Sequence, residues 1–329
     1  MTTISAAVSV GAAPPASEQV ASDFHPAGLA ALNHVADRAA DWSATADHIK
    51  ARLDRARWAV FGLSVAGALA AAVASQIPSV SKAHAYIAAM AAVLLAIGAL
   101  LSQRFLGRNE TQSWVRARSA SEALKREAFR FAARSKPYGN TVNPDALLQA
   151  ERERIERDVD DLVARQVKAT RTGSSPRQLI SPTQYRNDRL LAATQQFYRP
   201  KAEKYRKTAG VLKTIELCLA FAAVVVTAIA GIQGKAALGI PWPFDLAALT
   251  AVLTTVSGAI LAHIGASRLD HLVVTYLATA RRLEDLDSDF AASSAAGGSA
   301  WSQFVSQCED IIAAETSSWV AKWSSDTQR

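Results

Sequence analysis

The chain has 329 residues, half of them apolar, with 36 Lys and Arg against 29 Asp and Glu for a formal charge of +7. Two cysteines exclude a disulfide framework, and no Cys or His pair stands at metal-ligand spacing. Four apolar, nearly charge-free stretches exclude an ordinary soluble protein, and the basic excess sits where membrane topology requires it, so no nucleic-acid partner is expected.

Residues 1–25 read as a disordered tail, because the short apolar run within Met1 to Ser22 has no Lys or Arg ahead of it and fails as a secretory signal. From there Leu32, Val35, Ala39, Trp42, Ala46, Ile49, Leu53 and Ala56 alternate spacings of three and four. That is a heptad, coiled-coil-like seam running straight into the first apolar stretch. One long helix entering the bilayer is expected, its stripe buried against another helix of this chain and against a neighbouring copy together.

Trp58 to Ser81 and Ala83 to Gln103 form the first pair of stretches, Leu217 to Gly234 and Leu246 to Ser267 the second. Each is about 18 to 24 residues, enough to cross roughly 30 Å of hydrocarbon as helix with its own backbone satisfied. Lys50, Arg52, Arg55 and Arg57 precede the first span, Arg104 and Arg108 follow the second, the run from Arg199 to Lys213 precedes the third, and Arg268 follows the fourth. The tips between spans carry chiefly Lys82, Lys235 and Asp245. The bias of Lys and Arg toward the cytoplasm therefore puts both termini and the central segment inside. Trp58, Tyr86 and Trp242 fit aromatic anchoring at the interfaces.

Between the pairs, Trp114 to Arg134 is helical in pattern, with Glu122, Arg126 and Arg130 spaced to pair along one face. Pro137, Tyr138, Gly139 and Asn140 end it. Asp145 to Val167 reads as an amphipathic helix with Leu148, Ile155, Val159 and Leu162 on one side. Arg171 to Pro182 reads as a linker. The plan then recurs: a basic helix from Tyr185 to Lys213, two spans, a helix from Leu269 to Leu286, an Ala, Ser and Gly break at Ala291 to Ala300, and a last helix carrying Trp301, Phe304, Cys308, Ile312 and Trp319. Both halves cross twice from the same side, which makes them parallel repeats.

The residues Trp114, Arg116, Ser121, Glu122, Leu124, Lys125, Glu127, Phe129, Pro137 and Tyr138, directly behind a two-span hairpin, resemble the SLATT family of prokaryotic membrane effectors. Tyr185, Arg189, Tyr198, Ala202 and Tyr205 ahead of the second hairpin, with Arg282, Leu283, Glu309 and Glu315 behind it, are similar to another branch of that family. Two such domains in tandem would explain the repeated architecture. The resemblance implies a protein of the bacterial inner membrane acting in defence or conflict systems, with a pore that disrupts the membrane of an infected cell. It also implies a nucleotide second messenger or a cytoplasmic sensor protein as partner.

No Gly-rich phosphate loop, nucleophile elbow or His pair on one helical face is present, and the six His residues are scattered, so neither an enzyme nor a cofactor is expected. Candidate pore-lining residues lie in the second hairpin. Glu216 stands about one turn inside the third span on a face shared with Ala220, Ala223, Thr227 and Gly231. It either rings the mouth of a water-filled path or snorkels to pair with Lys213 or Lys207. Thr250, Thr254 and Ser257 place three hydroxyls on one stripe of the fourth span below Asp245, as a path lining or as helix-to-helix glue. Gly62, Ala66, Ala70 and Ala74 form a small-residue packing ridge in the first span.

The expected fold is thus an all-α integral membrane protein: a tail at 1–25, a first hairpin domain at 26–140 with spans at about 58–79 and 84–103, and a helix and linker at 141–182. A second hairpin domain follows at 183–290, with spans at about 214–234 and 246–267, and a final helix at 300–329. Two functions fit it. One is a homo-oligomer in the lipid bilayer that forms or gates an ion-permeable pore, and the other is a non-conducting scaffold that recruits a cytoplasmic partner.

Overall fold

A computed structural model of the chain describes residues 26–170, 173–233, 246–292 and 298–325, with side chains described except those of 26–28, 108, 232–233 and 316–325. The N-terminal tail, Trp242, Lys235, Asp245 and the side chain of Trp319 lie outside the described residues. The described residues are helical or irregular, with no strand among them.

Helix α1 (Pro26–Ser75) runs unbroken for 50 residues from the helical bundle into the first span, and ends before the expected 79 because the chain turns ahead of Pro78, with the Gln76 and Ile77 amides donating to Val73 O and Ala74 O at 3.2 and 3.0 Å. Its seam is buried as its period demands: Leu32, Val35, Ala39 and Trp42 are wholly enclosed, and burial continues to Leu53 before Ala56 becomes half-exposed. The stripe is covered within the chain, by Ala117, Ala120, Leu124, Ala128 and Phe131 of α3 (Arg108–Ala132) and by Leu148 and Ile155 of α4 (Pro144–Arg157). Helix α2 (Lys82–Phe105) is started by Ser81, whose hydroxyl accepts from the Ala83 amide at 3.2 Å, and it returns along α1.

The segment expected to be helical from Asp145 to Val167 ends sooner. Asn143 caps α4 through the Ala146 amide with Pro144 in the first turn, but the helix stops at Arg157 and a 3₁₀ turn follows at Asp160–Arg165. Arg116 of α3 explains the stop by taking the Asp158 carbonyl at 2.5 Å and both Asp161 carboxylate oxygens at 2.9 and 2.6 Å. Leu148, Ile155, Val159 and Leu162 still reach the same core.

The described part of the linker is packed. Gly173 lies so near α1 that an added Cβ would stand 3.1 Å from that of Ala40, Arg177 pairs with Asp37 at 2.6 Å, and the Ile180 amide donates to the Ala132 carbonyl at 3.1 Å. A capping box between Ser181 and Gln184 then opens α5 (Pro182–Tyr185). It continues without a break through a π-helical stretch, Arg186–Tyr198, into α6 (Arg199–Gln233). Tyr185, Arg189, Thr194 and Tyr198 are buried at steps of four and five, a spacing that the wider i→i+5 turn keeps on one face.

Helix α7 (Leu246–Ser267) pairs with α6 and also packs on the span part of α1. Arg268 turns left-handed, at φ 47°, where the chain passes into α8 (Leu269–Ala292). Helix α9 (Gly298–Ser325) lies on α3 and α8. A second core, built on Tyr185, Leu190, Tyr198, Tyr276, Leu283 and Phe304, meets the first at Trp114 and Ile180. The non-spanning helices thus form one bundle at one end of four helices long and apolar enough to cross a membrane.

Candidate functional site

Within the spans, polar side chains gather between α6 and α7. Ser257, only 7% exposed, donates to Glu216 Oε1 at 2.9 Å. Thr227 and Thr250 approach to 3.4 Å, but each hydroxyl has one proton and spends it on its own helix, on Ala223 O at 2.7 Å and Leu246 O at 3.0 Å. Neither lysine anticipated for Glu216 reaches it: Lys213 holds both Asp270 oxygens at 2.9 Å, and Lys207 lies 3.6 Å from Glu203.

The hydroxyl stripe of the fourth span is split. At 100° per residue Thr250, Thr254 and Ser257 cover about a 60° arc. Ser257 sits at the edge facing α6, whereas Thr254 is exposed and bonds back to Thr250 O and Ala251 O at 3.0 Å. On the third span Ala223 is buried, whereas Thr227 and Gly231 are exposed. The small-residue ridge of the first span also divides. Ala70 and Ala74 are buried, Ala66 is exposed, and a Cβ on Gly62 would meet nothing within 4 Å. The close approach of α1 to α2 is made instead at Gly67, where a Cβ would lie 2.7 Å from Leu95 Cγ.

Several motif residues of the bundle tie one element to another. Tyr138 donates to Glu127 Oε2 at 2.8 Å, while Arg126 and Arg130 flank that carboxylate at 3.0 and 3.5 Å. Pro137 leads into the Tyr138–Asn140 turn that places the phenol. In the second half Tyr185 donates to Glu309 Oε1 at 2.9 Å, with Arg189 bidentate on the same carboxylate. Each half therefore seats a tyrosine hydroxyl on an enclosed glutamate. The anticipated ladder of Glu122, Arg126 and Arg130 does not form, because Glu122 takes Arg118 and Lys125, each at 3.1 Å. Burial opposes the Glu122 charge, but Arg118, Lys125 and Arg189 outweigh it and hold the carboxyl at about 2. Burial and Glu309 push the Tyr185 phenol well up, and burial does the same to the Cys308 thiol.

Where the spans meet the bundle there is a cavity of about 460 Å³. The first half supplies Lys50, Arg57 and Trp58 from α1 and Trp114 and Arg118 from α3; the second supplies Phe197, Lys201, Lys204 and Tyr205, with His263 and Tyr276 behind them. Trp58 and His263 stack obliquely at 4.6 Å at the membrane end. The Lys50 amine stands 5.7 Å from the Trp114 ring and 3.5 Å from the Tyr205 hydroxyl. Phe197 has Arg118 at 5.7 Å and Lys201 at 5.3 Å. No pattern along the sequence marks this cavity, since its walls meet only when the two halves dock.

Fold and geometry together define an all-helical membrane protein with two two-span hairpins on a shared bundle. Residues 185–319 match the family described as SMODS and SLOG-associating 2TM effector domain 1, and residues 40–146 match one described as a protein of unknown function, DUF4231. The second half of the chain thus carries a match to the SLATT family. That match runs through α9, whose Glu309 closes the second core onto Arg189. No curated protein and no solved structure matches the chain.

Proposed function

We propose that the protein is a non-enzymatic effector of the bacterial inner membrane that oligomerises and forms or gates an ion-permeable path, with both termini and the bundle in the cytoplasm. The observation that carries this reading is the polar seam of the second hairpin, where Glu216 and Ser257 bond inside the apolar region and Thr227 and Thr254 lie exposed nearby. An ionisable group in a span is costly unless it serves a path or a partner. Four spans arranged as two hairpins rarely enclose a channel, so copies must associate to surround one. The effector description of the matched domain supports an effector role, and defence or nucleotide-triggered cell death is the setting that this reading assigns to it. A tandem of two related hairpin domains fits the repeated order of elements, with the first half as the diverged member.

Ion flux into liposomes carrying the purified full-length protein tests the proposal. Flux above empty-vesicle leak, lowered for cations by Glu216→Gln and in unit conductance by Thr254→Leu, is the expected result. Ion-tight vesicles with verified folding and orientation, or a strictly monomeric protein in nanodiscs, overturn it and leave the hairpins as anchors of a scaffold that recruits a cytoplasmic partner.

A further inference from the structure

The cavity between the halves carries a ligand assignment that rests on the nucleotide-triggered part of the proposed function and does not require the pore. Its volume of about 460 Å³ falls in the roughly 300–1,000 Å³ range of small-molecule sites. Five cationic side chains line it against the carboxylates of Asp47, Asp54 and Glu315. Arg57 is paired with Asp54 at 3.1 Å, and Arg118 shares Glu122 with Lys125, each at 3.1 Å. Among the described residues no carboxylate forms an ion pair with Lys50, Lys201 or Lys204, and Glu203 beside Lys204 takes Arg206 and Lys207 instead. Flexible ammonium groups of this kind take phosphate as point charges. Trp114, Phe197 and Tyr205 stand among them and offer flat apolar surface beside the charge.

Depth decides the source of the phosphate. Lys50 lies eight residues before Trp58, about 12 Å along the helix, and Lys204 ten residues before Thr214, about 15 Å. The headgroup layer is only about 5–8 Å thick on each side of the hydrocarbon. A lipid phosphate would thus stop short of the lysines, whereas a soluble anion from the bundle side reaches them.

We propose that this cavity binds a soluble phosphate-bearing ligand with a flat ring, of mononucleotide size, with Lys50, Lys201 and Lys204 on the phosphate and the aromatic walls against the ring. Such a ligand bridges α1 and α3 of one half to the α5–α6 helix of the other and so favours one docking of the two hairpins over another. Binding is read without ion flux, so its failure and that of the pore reading are separate results.

The test uses the full-length protein in phosphatidylcholine nanodiscs, with equilibrium binding of AMP, GMP and UMP, and with adenosine and ribose 5-phosphate as controls lacking phosphate or base. At least one nucleotide is expected to bind, with both controls weaker by about tenfold or more. Lys201→Gln/Lys204→Gln should weaken binding by about tenfold or more, while Arg206→Gln/Lys207→Gln, the same charge change on side chains that lean on Glu203 outside the cavity, should bind as wild type. Absence of binding by all three nucleotides to folded protein overturns the assignment, as does equal loss in the two double variants. Stabilisation by phosphatidylglycerol nanodiscs without any nucleotide binding overturns the soluble ligand in favour of a lipid phosphate.

Discussion

Arg189 lays its guanidinium on Glu309 with both arms, Nε to Oε1 at 2.9 Å and Nη2 to Oε2 at 2.7 Å, and its other surface faces the Phe129 ring at 4.6 Å. Glu309 is wholly enclosed and also accepts from Tyr185. The pair thus ties the π-helical stretch to α9 and, through Phe129, to α3 of the first half.

Removing one partner should hurt more than removing both. Arg189→Met leaves an enclosed carboxylate with only the tyrosine hydroxyl, which should cost about 3–5 kcal/mol. Arg189→Met/Glu309→Leu leaves no charge behind and should recover much of that loss. Thermal unfolding of the detergent-solubilised protein, followed by near-UV circular dichroism, measures the order; a double variant weaker than the single one would contradict it.

Glu122 sets an acid dependence. Its carboxyl, held at about 2 against an ordinary 4.5, stabilises the fold at any pH above the unfolded value, and that contribution is lost as pH falls from about 5 toward 2. The difference corresponds to about 3 kcal/mol near neutrality. Glu122→Gln should therefore be less stable than wild type at pH 7, with the gap narrowing between pH 5 and pH 3. Parallel melting curves over that interval would show that Glu122 is not the group responsible.

Periodicity made the long helices legible. The seam from Leu32 to Leu53 lies where its three-and-four spacing places it, and the four apolar stretches fall on long helices, because each pattern is local to one helix, although the first helix ends at Ser75, short of the expected end of its span. Partner choice was not legible in the same way. Glu216 sits three residues from Lys213 in the chain, yet it bonds Ser257 across the hairpin while Lys213 turns to Asp270. The end of α4 was hidden because Arg116, forty-two residues away, takes the Asp158 carbonyl. The cavity was invisible for the same reason on a larger scale: Lys50 and Tyr205 are 155 residues apart.

The two glycines of the first span should respond in opposite ways. A side chain at Gly67 drives into Leu95, with 2.7 Å to Cγ and 2.8 Å to Cδ2, whereas Gly62 opens onto free space. Gly67→Ile should cost about 1–3 kcal/mol by prying α2 from α1, and Gly62→Ile should leave the monomer unchanged. Should Gly62→Ile leave thermal stability intact yet weaken chemical cross-linking between copies, the exposed Gly62 and Ala66 face is the part of the ridge that packs between chains.

Gly139 answers to backbone alone. A Cβ there would collide with the Arg134 carbonyl oxygen, and that carbonyl is held by a tight loop in which the Tyr138 and Gly139 amides both donate to Ser135 O, at 2.8 and 3.1 Å. Arg134 itself is left-handed at φ 51°, so the loop has little freedom to open. Gly139→Ala should displace Tyr138 and with it the 2.8 Å bond to Glu127, at a cost of about 1–3 kcal/mol. Tyr138→Phe, which removes the hydroxyl but keeps the ring against Phe131 at 5.5 Å, should cost about 1–2 kcal/mol. The double variant should then lose less than the sum of the two, because the displaced phenol has already given up its bond; full additivity in melting measurements would mean that the strain at Gly139 does not pass through Tyr138.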